Sequence, residues 1–227
     1  CRCRGVFSHN AYASSDVVGT TLRFPAWRLD GVPDANVVAT DLLVPSNLRE
    51  LLDRVRPQTV FDCVAYGAYS YERDEQLIYR TNVAFTVALA EELAARDVRA
   101  LVHAGSSSEY GAGSAAPPES QPLAPNSHYA ASKAAAAGAL AYMGHERGLP
   151  CVNLRLYSVY GPYEDASRLV PTLCLHGLRA ELPAFVDPAI SRDFVYVDDA
   201  CEAFVDAALG MAPEHHGESF NVGSGVC

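Results

Sequence analysis

The sequence has almost no lysine, no C-x-x-C pair and no long apolar run. Its 227 residues include 17 basic and 27 acidic side chains, for a formal net charge of −10. This acidic balance argues against a nucleic-acid partner bound by phosphate neutralisation. No stretch approaches the ~20 apolar residues that cross a bilayer, and the start lacks the apolar segment of a signal peptide. We therefore expect a cytoplasmic protein without a membrane or nucleic-acid partner.

The chain has seven cysteines, an odd number, and all of them lie far from one another except Cys1 and Cys3. Without a C-x-x-C pair they match neither a disulfide framework nor the spacing of zinc ligands. The internal cysteines occur singly within apolar runs, as Cys63 and Cys174 do. We expect reduced thiols, mostly buried, and no metal site.

Only one basic residue is a lysine, Lys133, and all the others are arginines. A lysine ammonium is a compact point charge, whereas a guanidinium is a planar fork. Tyr129 lies four residues earlier in an alanine-rich segment, so both side chains share one face of the predicted helix. A neighbouring ammonium would lower the pKa of Tyr129 from about 10 towards neutrality and make it a general acid/base. The alternative interpretation is a partly exposed tyrosine beside a solvated lysine.

Short apolar runs alternate with helical patterns along the chain. Strands are predicted at 17–20, 36–39, 59–65, 100–104, 151–156 and 194–197, and helices at 47–55, 82–96, 127–147, 169–178 and 199–209. A loop rich in serine, proline and glycine is predicted at 105–126. Near-continuous apolar strands between helices predict an α/β fold with a doubly wound parallel sheet. Ligands bind such sheets at the carboxyl ends of the strands, where Ser106 could share a substrate oxygen with Tyr129.

Further motifs accompany the Tyr129-x-x-x-Lys133 pair. They are A-T-D-L at 39–42, T-N-V at 81–83, S-x-x-x-Y-G at 106–111, R-x-x-S-V-Y-G-P at 155–162 and R-D-F-V-x-V-x-D at 192–199. In order and spacing, over about residues 16–223, they resemble the extended short-chain dehydrogenases/reductases, the NAD-dependent epimerase/dehydratase family acting on nucleotide sugars. The resemblance implies a Rossmann-like NAD(P)-binding domain at 1–157. It also implies a small, partial substrate-binding lobe at 158–227, of which 190–210 returns to the sheet.

The resemblance also implies roles for individual residues. Tyr129 would remove a sugar hydroxyl proton while a hydride, in most members from C4, passes to nicotinamide; Ser106 would hold that oxygen, and Lys133 would bind the nicotinamide ribose. The residues implied to contact NAD or NADP are Arg23, Asp41, Leu42, Ala65, Tyr66, Gly67, Asn82, Tyr129 and Lys133. Those implied to contact a nucleotide-diphosphate sugar are Ser107, Ser158, Arg168 and Arg192. An ion pair with Asp193 or Asp198 is the other interpretation of Arg192. A homodimer through helices 82–96 and 127–147 is implied as well.

The sequence departs from the family pattern in several places. The G-x-x-G-x-x-G turn is absent, so we expect the first strand–helix unit to be missing, and the chain ends soon after Gly223. Both features indicate a fragment of a longer protein. Ser158 stands where the family usually has asparagine. The triplet at 106–108 is all serine, so it lacks the two carboxylates of the family's 4,6-dehydratases, and Glu109 lies one position too late.

These departures favour an epimerase or a 4-ketoreductase, which need only the serine, tyrosine, lysine and a cofactor. A 4,6-dehydratase and a non-catalytic nucleotide-binding homologue remain as alternatives. The predicted strand end at 20–23 has no acid for the ribose 2′-hydroxyl and carries Arg23, which tilts the cofactor slightly towards NADP. A surface Arg23 without a role is the other interpretation.

Overall fold

The computed structural model describes residues 17–29, 32–183 and 192–225. The strands are β1 (Gly19–Thr21), β2 (Val37–Ala39), β3 (Thr59–Asp62), β4 (Ala100–Ser106), β5 (Cys151–Leu156), β6 (Ser158–Tyr160), β7 (Phe194–Tyr196) and β8 (Ser219–Val222). The α-helices are α1 (Pro45–Val55), α2 (Glu75–Tyr79), α3 (Phe85–Ala94), α4 (His128–His145), α5 (Leu169–Leu178) and α6 (Val197–Leu209).

A four-stranded parallel sheet, in the order β3-β4-β5-β8, forms the centre of the fold. Its register places Asp62 opposite His103 and Ser106 opposite Leu156. Because the strands are parallel, their carboxyl ends meet at one edge of the sheet. β1 and β2 form a separate parallel pair, and so do β6 and β7.

Both faces of the central sheet are covered by helices. Leu101 of β4 and Cys151 of β5 pack in one apolar cluster with α1, α3 and α4. Their neighbours Val102 and Val152 point to the opposite face, where they pack against Phe204 of α6. Alternate residues of each strand thus pack in different apolar clusters, one on each face of the sheet. The predicted α/β fold with a doubly wound parallel sheet is confirmed.

Several element boundaries differ from the prediction, and two of the differences lie near the carboxyl edge of the sheet. The helix expected at 82–96 begins at Glu75, because Asp74 caps it by accepting a hydrogen bond from Leu77 N at 3.0 Å. It then passes through a π-helical segment, Arg80–Ala84, into α3. In the loop expected at 105–126, β4 continues to Ser106 and a 3₁₀ helix follows at Ser107–Gly113.

The predicted return of residues 190–210 to the main sheet is only partly correct. β7 pairs with β6 rather than with the central sheet, whereas α6 does pack on that sheet through Phe204 and Ala208. It is β8 that adds a strand to the edge of the sheet, beside β5. The domain boundary at 157 stays a prediction. The expected lack of a first strand–helix unit concerns residues before 17, which lie outside the described residues.

In the described part of the chain, no helix is both long and apolar enough to cross a membrane. Cys63, Cys151, Cys174 and Cys201 form no disulfide with one another. Cys151 and Cys201 are buried and the other two are exposed, so the predicted burial holds for half of these cysteines.

Candidate active site

Ser106 and Tyr129 meet at the carboxyl edge of the central sheet. Ser106 ends β4, and Tyr129 lies in the first turn of α4, where the N-cap Ser127 accepts a hydrogen bond from Ala130 N at 3.1 Å. The Ser106 hydroxyl lies within reach of the Tyr129 phenol and favours its ionised form. It also accepts a hydrogen bond from Ser108 Oγ at 2.8 Å. The structure therefore brings together two residues that stand 23 positions apart in the sequence.

The pKa of Tyr129 differs from the sequence-based expectation. Removal from water raises the pKa of Tyr129 to about 12, and the Ser106 side chain and the charge of Arg168 only partly oppose this change. Glu109 and Glu72 raise this pKa further. The expectation that it falls towards neutrality is wrong for this structure, because desolvation outweighs the nearby cations.

Lys133 is buried, with only 1% of its surface exposed. Its Nζ donates a hydrogen bond to the carbonyl oxygen of Ala104 at 2.8 Å, two residues before Ser106 in β4. The alternative interpretation of a solvated lysine is therefore wrong. Burial lowers the pKa of Lys133, while Asp62, Cys63 and Glu109 act in the opposite direction. The ammonium thus lies in the interior, one helical turn after Tyr129.

Glu109 fixes the turn that carries Ser106. Its Oε1 accepts a hydrogen bond from Ser106 N at 2.9 Å, while Ser106 Oγ accepts one from Ser108 N at 3.2 Å, which completes a capping box. The Glu109 side chain is fully buried, and Oε2 accepts a hydrogen bond from Arg155 Nε at 2.7 Å. The S-x-x-E spacing at 106–109 could have revealed this role in the sequence. The Glu109 carboxylate is thus engaged by Ser106 and Arg155.

Tyr110 links three distant segments behind this turn. The side chain is fully buried, and its hydroxyl donates a hydrogen bond to Asn221 Oδ1 at 2.9 Å. The same hydroxyl accepts one from Arg155 Nη1 at 2.7 Å. Asn221 Nδ2 in turn donates to the carbonyl of Pro117 at 2.8 Å. Tyr110 and Arg155, which both belong to the sequence motifs, therefore hold the turn in place through hydrogen bonds within the protein.

Three residues predicted to contact a dinucleotide lie after β1 and β2. Arg23 is exposed, and Thr21 Oγ1 donates to its carbonyl at 3.0 Å. Asp41 Oδ1 accepts a hydrogen bond from Leu43 N at 2.9 Å, while Leu42 packs against the apolar core. Their contact with a dinucleotide stays a prediction.

The loop after β3, which carries Ala65, Tyr66 and Gly67, is fixed by Asn82. The Asn82 amide accepts from Tyr66 N at 2.9 Å and donates to the Tyr66 carbonyl at 2.8 Å. It also donates to Ser132 Oγ in α4 at 2.8 Å. Fully buried, Asn82 therefore acts as a clamp between this loop and α4.

Gly67 lies against Tyr129 in a conformation that suits glycine, with φ at +95°. A Cβ there would approach Ile78 to 2.7 Å and the Tyr129 ring to 3.5 Å. The backbone of this loop therefore borders the candidate acid/base.

The residues predicted to contact the sugar nucleotide are spread over the 106–108 turn and the segments after β5. Ser107 is half-buried next to Ser106. The backbone N–H of Ser158 donates to the carbonyl of Asp193 at 2.9 Å. Arg168 acts on the Tyr129 phenol, and its Nε lies 3.1 Å from Glu164 Oε1.

Arg192 is exposed and directly follows the undescribed residues 184–191. Among the residues that the structure describes, it forms no ion pair. Asp193 instead accepts hydrogen bonds from Ser224 N at 2.8 Å and Gly225 N at 2.9 Å. The alternative of an Arg192–Asp193 pair is therefore not supported.

Two features near the site escaped the sequence interpretation. Glu72 Oε2 accepts a hydrogen bond from Gly67 N at 2.8 Å, and this carboxylate raises the pKa of Tyr129. Asp62 and His103 form a buried pair at 2.8 Å. The one available signal for this pair was a carboxylate inside an otherwise apolar strand, since polar groups in such strands need partners.

Comparisons with known proteins show the family of the chain. The NAD dependent epimerase/dehydratase family matches residues 7–223. A UDP-glucose 4-epimerase from Mycolicibacterium smegmatis is 34% identical over 193 residues, which cover 81% of this chain and 60% of that protein. A dTDP-glucose 4,6-dehydratase from Xanthomonas campestris pv. campestris is 32% identical over 209 residues, which cover 86% and 58%.

Solved structures show the same likeness. The UDP-glucuronic acid 4-epimerase from Bacillus cereus, in complex with UDP-glucuronic acid and NAD, superposes with a TM-score of 0.73 at 27% identity, over 83% of this chain and 60% of that one. The chain thus spans about 60% of the length of these relatives.

A doubly wound sheet with a serine, tyrosine and lysine at its carboxyl edge defines an extended short-chain dehydrogenase/reductase. Within that class, the chain belongs to the NAD-dependent epimerase/dehydratase family.

Proposed function

We propose that this chain carries the catalytic centre of an NAD(P)-dependent nucleotide-sugar epimerase or 4-ketoreductase, with Tyr129 as acid/base. The observation that supports it most is that Ser106 and Tyr129 meet at the carboxyl edge of the central sheet, with the single lysine of the chain one turn further along α4. The matched relatives are enzymes named for UDP- and dTDP-sugars. The substrate class is therefore a nucleotide-diphosphate sugar.

Tyr129 and Ser106 act on one sugar oxygen, which we assign to C4. The protonated phenol of Tyr129 donates its proton to a keto oxygen in the reducing direction, and the phenolate takes the hydroxyl proton in the oxidising direction. The Ser106 hydroxyl donates a hydrogen bond to the same oxygen and holds it beside the phenol. A nicotinamide dinucleotide, when bound, supplies the hydride acceptor and donor.

The described residues fit such a dinucleotide. Lys133 presents an ammonium with three donors and uses one of them on Ala104, which leaves donors for ribose hydroxyls. Gly67 has no side chain to fill the space beside Tyr129. Two pairs of the predicted cofactor residues follow the ends of strands: Asp41 and Leu42 come after β2, and Ala65 and Tyr66 come after β3. Arg23 after β1 supports the slight preference for NADP, because a guanidinium suits a ribose 2′-phosphate.

The serine turn distinguishes between the possible reactions. Water elimination would need a carboxylic acid or carboxylate beside the sugar, yet Ser107 and Ser108 stand at the two candidate positions. Glu109 is engaged by Arg155 and Ser106, and Glu72 by the backbone of the loop after β3. A hydroxyl and a phenol suffice for epimerisation or ketone reduction, so we favour these over dehydration.

Further contacts complete the proposal. Ser107, Ser158, Arg168 and Arg192 bind the sugar nucleotide, and the exposed guanidinium of Arg192 is suited to bidentate contact with a diphosphate. The chain forms a cytoplasmic homodimer through α3 and α4. Light scattering coupled to gel filtration tests the dimer.

One experiment separates the candidate reactions. The chain is incubated with UDP- and dTDP-sugars and their 4-keto derivatives, in parallel with NAD(H) and NADP(H), and the sugar is followed by NMR. Inversion at C4 indicates an epimerase, and a new C4 hydroxyl from a 4-keto sugar indicates a reductase. A 4-keto-6-deoxy sugar would instead indicate the dehydratase. Binding of the nucleotide sugar without any conversion would indicate the non-catalytic nucleotide-binding homologue.

A further inference from the structure

Tyr71 joins the loop after β3 to the segment 161–168, which connects β6 to α5. Its hydroxyl donates a hydrogen bond to Asp165 Oδ2 at 2.9 Å. The two residues stand 94 positions apart in the sequence, so the contact links separate parts of the fold. The loop after β3 carries residues assigned to the dinucleotide, and the segment 161–168 ends at Arg168, which is assigned to the sugar nucleotide.

Tyr71 is held in place within its own loop. Its ring stacks on the ring of Tyr69, with 5.3 Å between the centroids and 3° between the planes. Glu72 Oε2 accepts hydrogen bonds from Gly67 N at 2.8 Å and from Tyr69 N at 3.2 Å. A Cβ on Gly67 would come within 3.5 Å of the Tyr129 ring. The loop that carries Tyr71 is therefore fixed by its own contacts beside the candidate acid/base.

Asp165 organises the other side of the contact. Its Oδ1 accepts hydrogen bonds from Ser167 N at 2.9 Å and from Ser167 Oγ at 2.6 Å. Its carbonyl oxygen accepts one from Arg168 N at 3.0 Å. Arg168 is the N-cap residue of α5. The carboxylate that bonds Tyr71 thus also fixes the turn from which the Arg168 side chain leaves the backbone.

The contact lies at the protein surface, where it can open without unfolding the chain. Tyr71 is 60% exposed, and a hydrogen bond that water can replace contributes only modestly to stability. A second link to the segment, from Arg28 Nε to the carbonyl oxygen of Tyr163, is longer at 3.4 Å. Loss of the contact between Tyr71 and Asp165 would therefore loosen the segment 161–168 locally.

We propose that Tyr71 and Asp165 form a strap that positions the segment 161–168, and with it Arg168, beside the loop that borders Tyr129. Both are positioning residues for the sugar nucleotide and act through Arg168. The proposal rests on the proposed function, since Arg168 is there assigned to sugar-nucleotide binding. Its first test needs no substrate.

Hydrogen exchange of the free chain, measured by mass spectrometry, tests the strap. Tyr71→Phe keeps the aromatic ring but removes the donor to Asp165. Exchange of the backbone amides within 161–168 should rise by about 3- to 10-fold, the range that one modest hydrogen bond gives, and exchange elsewhere should not change. The matched control is Tyr79→Phe, which removes another exposed tyrosine hydroxyl, 3.2 Å from His128 Nδ1, and should leave the segment unchanged.

Equilibrium binding of UDP-glucose, measured by isothermal titration calorimetry, tests the positioning role. Tyr71→Phe should weaken binding by about 3- to 10-fold, and Asp165→Ala should weaken it at least as much. The double variant Tyr71→Phe/Asp165→Ala should lose no more than Asp165→Ala alone, because the tyrosine hydroxyl then has no partner to lose. Tyr142→Phe, which changes an exposed tyrosine of α4, should bind UDP-glucose like the unaltered chain.

Unchanged exchange within 161–168 in Tyr71→Phe overturns the strap. A rise spread over the whole chain does so too, because it would show a global loss of stability. Unchanged UDP-glucose affinity in a variant whose segment exchanges faster, or additive losses in the double variant, overturns the positioning role. Faster local exchange in a chain that binds neither UDP-glucose nor dTDP-glucose would support the strap and reject the proposed function, so the two failures are distinguishable.

Discussion

Removal of the Glu109 charge should destabilise the fold strongly, because the charge pairs with Arg155 in the interior. The Glu109 and Arg155 side chains are 0% and 7% exposed, with 2.7 Å between Oε2 and Nε. In Glu109→Gln, the amide oxygen can still accept the hydrogen bond from Ser106 N, while the amide nitrogen then faces Arg155 Nε, so the charge and the hydrogen bond to Arg155 are lost together. Breaking one side of a buried pair costs about 3–5 kcal/mol, since the other charge stays buried without a counterion. We expect a loss of this size in the free energy of unfolding.

Urea unfolding followed by far-UV circular dichroism measures this loss. The control is Asp53→Asn, which breaks a pair of the same 2.7 Å length with Arg96, but Asp53 is 69% exposed. That control should cost less than about 1 kcal/mol. The double variant Glu109→Gln/Arg155→Met should lose less than the sum of the two single variants, because neither charge is then left alone. A loss below about 1 kcal/mol for Glu109→Gln would refute this reasoning.

Three further changes have defined outcomes. Gly111→Ala should cost about 2 kcal/mol or more, because φ is +62° and a Cβ would overlap the carbonyl oxygen of Ala124; thermal unfolding measures it. Asn82→Ala should lower the free energy of unfolding by about 1–3 kcal/mol, because the hydrogen bonds of its side-chain amide are buried. It should also increase hydrogen exchange in the loop after β3. Asp193→Asn should destabilise at pH 7 but not in acid. Burial raises the pKa of Asp193, yet hydrogen bonds from the C-terminal turn lower it below its usual value. Its contribution is thus present above the ordinary carboxyl pKa and is lost as pH falls through the lowered one.

Each of these changes has its own check. Gly138→Ala, in the open middle of α4 with nothing within 4 Å, should stabilise by about 0.5–1 kcal/mol. If both glycine variants behave alike, the steric account of Gly111 is wrong. For Asn82, the comparison is Asn47, whose side-chain hydrogen bond to the Asp41 carbonyl is exposed, and equal losses would contradict the clamp. A destabilisation by Asp193→Asn that persists at pH 2 would show that its charge is not the cause.

The sequence predicted those parts of the fold that depend on local pattern. Leu101 and Val102 point into two different apolar cores, and the near-continuous apolar run of this strand predicted burial on both faces. The pairing of β6 with β7 could not be predicted, because strands of three residues are too short to show a period. Asp74 as the start of a helix was missed, although an aspartate before a helical pattern is an ordinary capping signal.

The candidate site was predicted where residue spacing determines it. Tyr129 and Lys133 share a helix, and Ser106 ends a strand, so their proximity followed from the motif. The raised pKa of Tyr129 could not be foreseen, because it depends on how much water the packed turn and loop exclude. Asp62 and His103 lie 41 residues apart, and no local signal links them before the sheet register does.

The test that addresses the central claim most directly is NMR-detected conversion of a nucleotide sugar by the unaltered chain and by Tyr129→Phe. Phenylalanine keeps the ring but removes the hydroxyl that exchanges the proton. We expect the rate to fall by about 10²-fold or more, with nucleotide-sugar binding retained. Tyr142→Phe, an exposed tyrosine of the same helix, should leave the rate unchanged. Equal rates for Tyr129→Phe and the unaltered chain would contradict the assignment of Tyr129 as the acid/base.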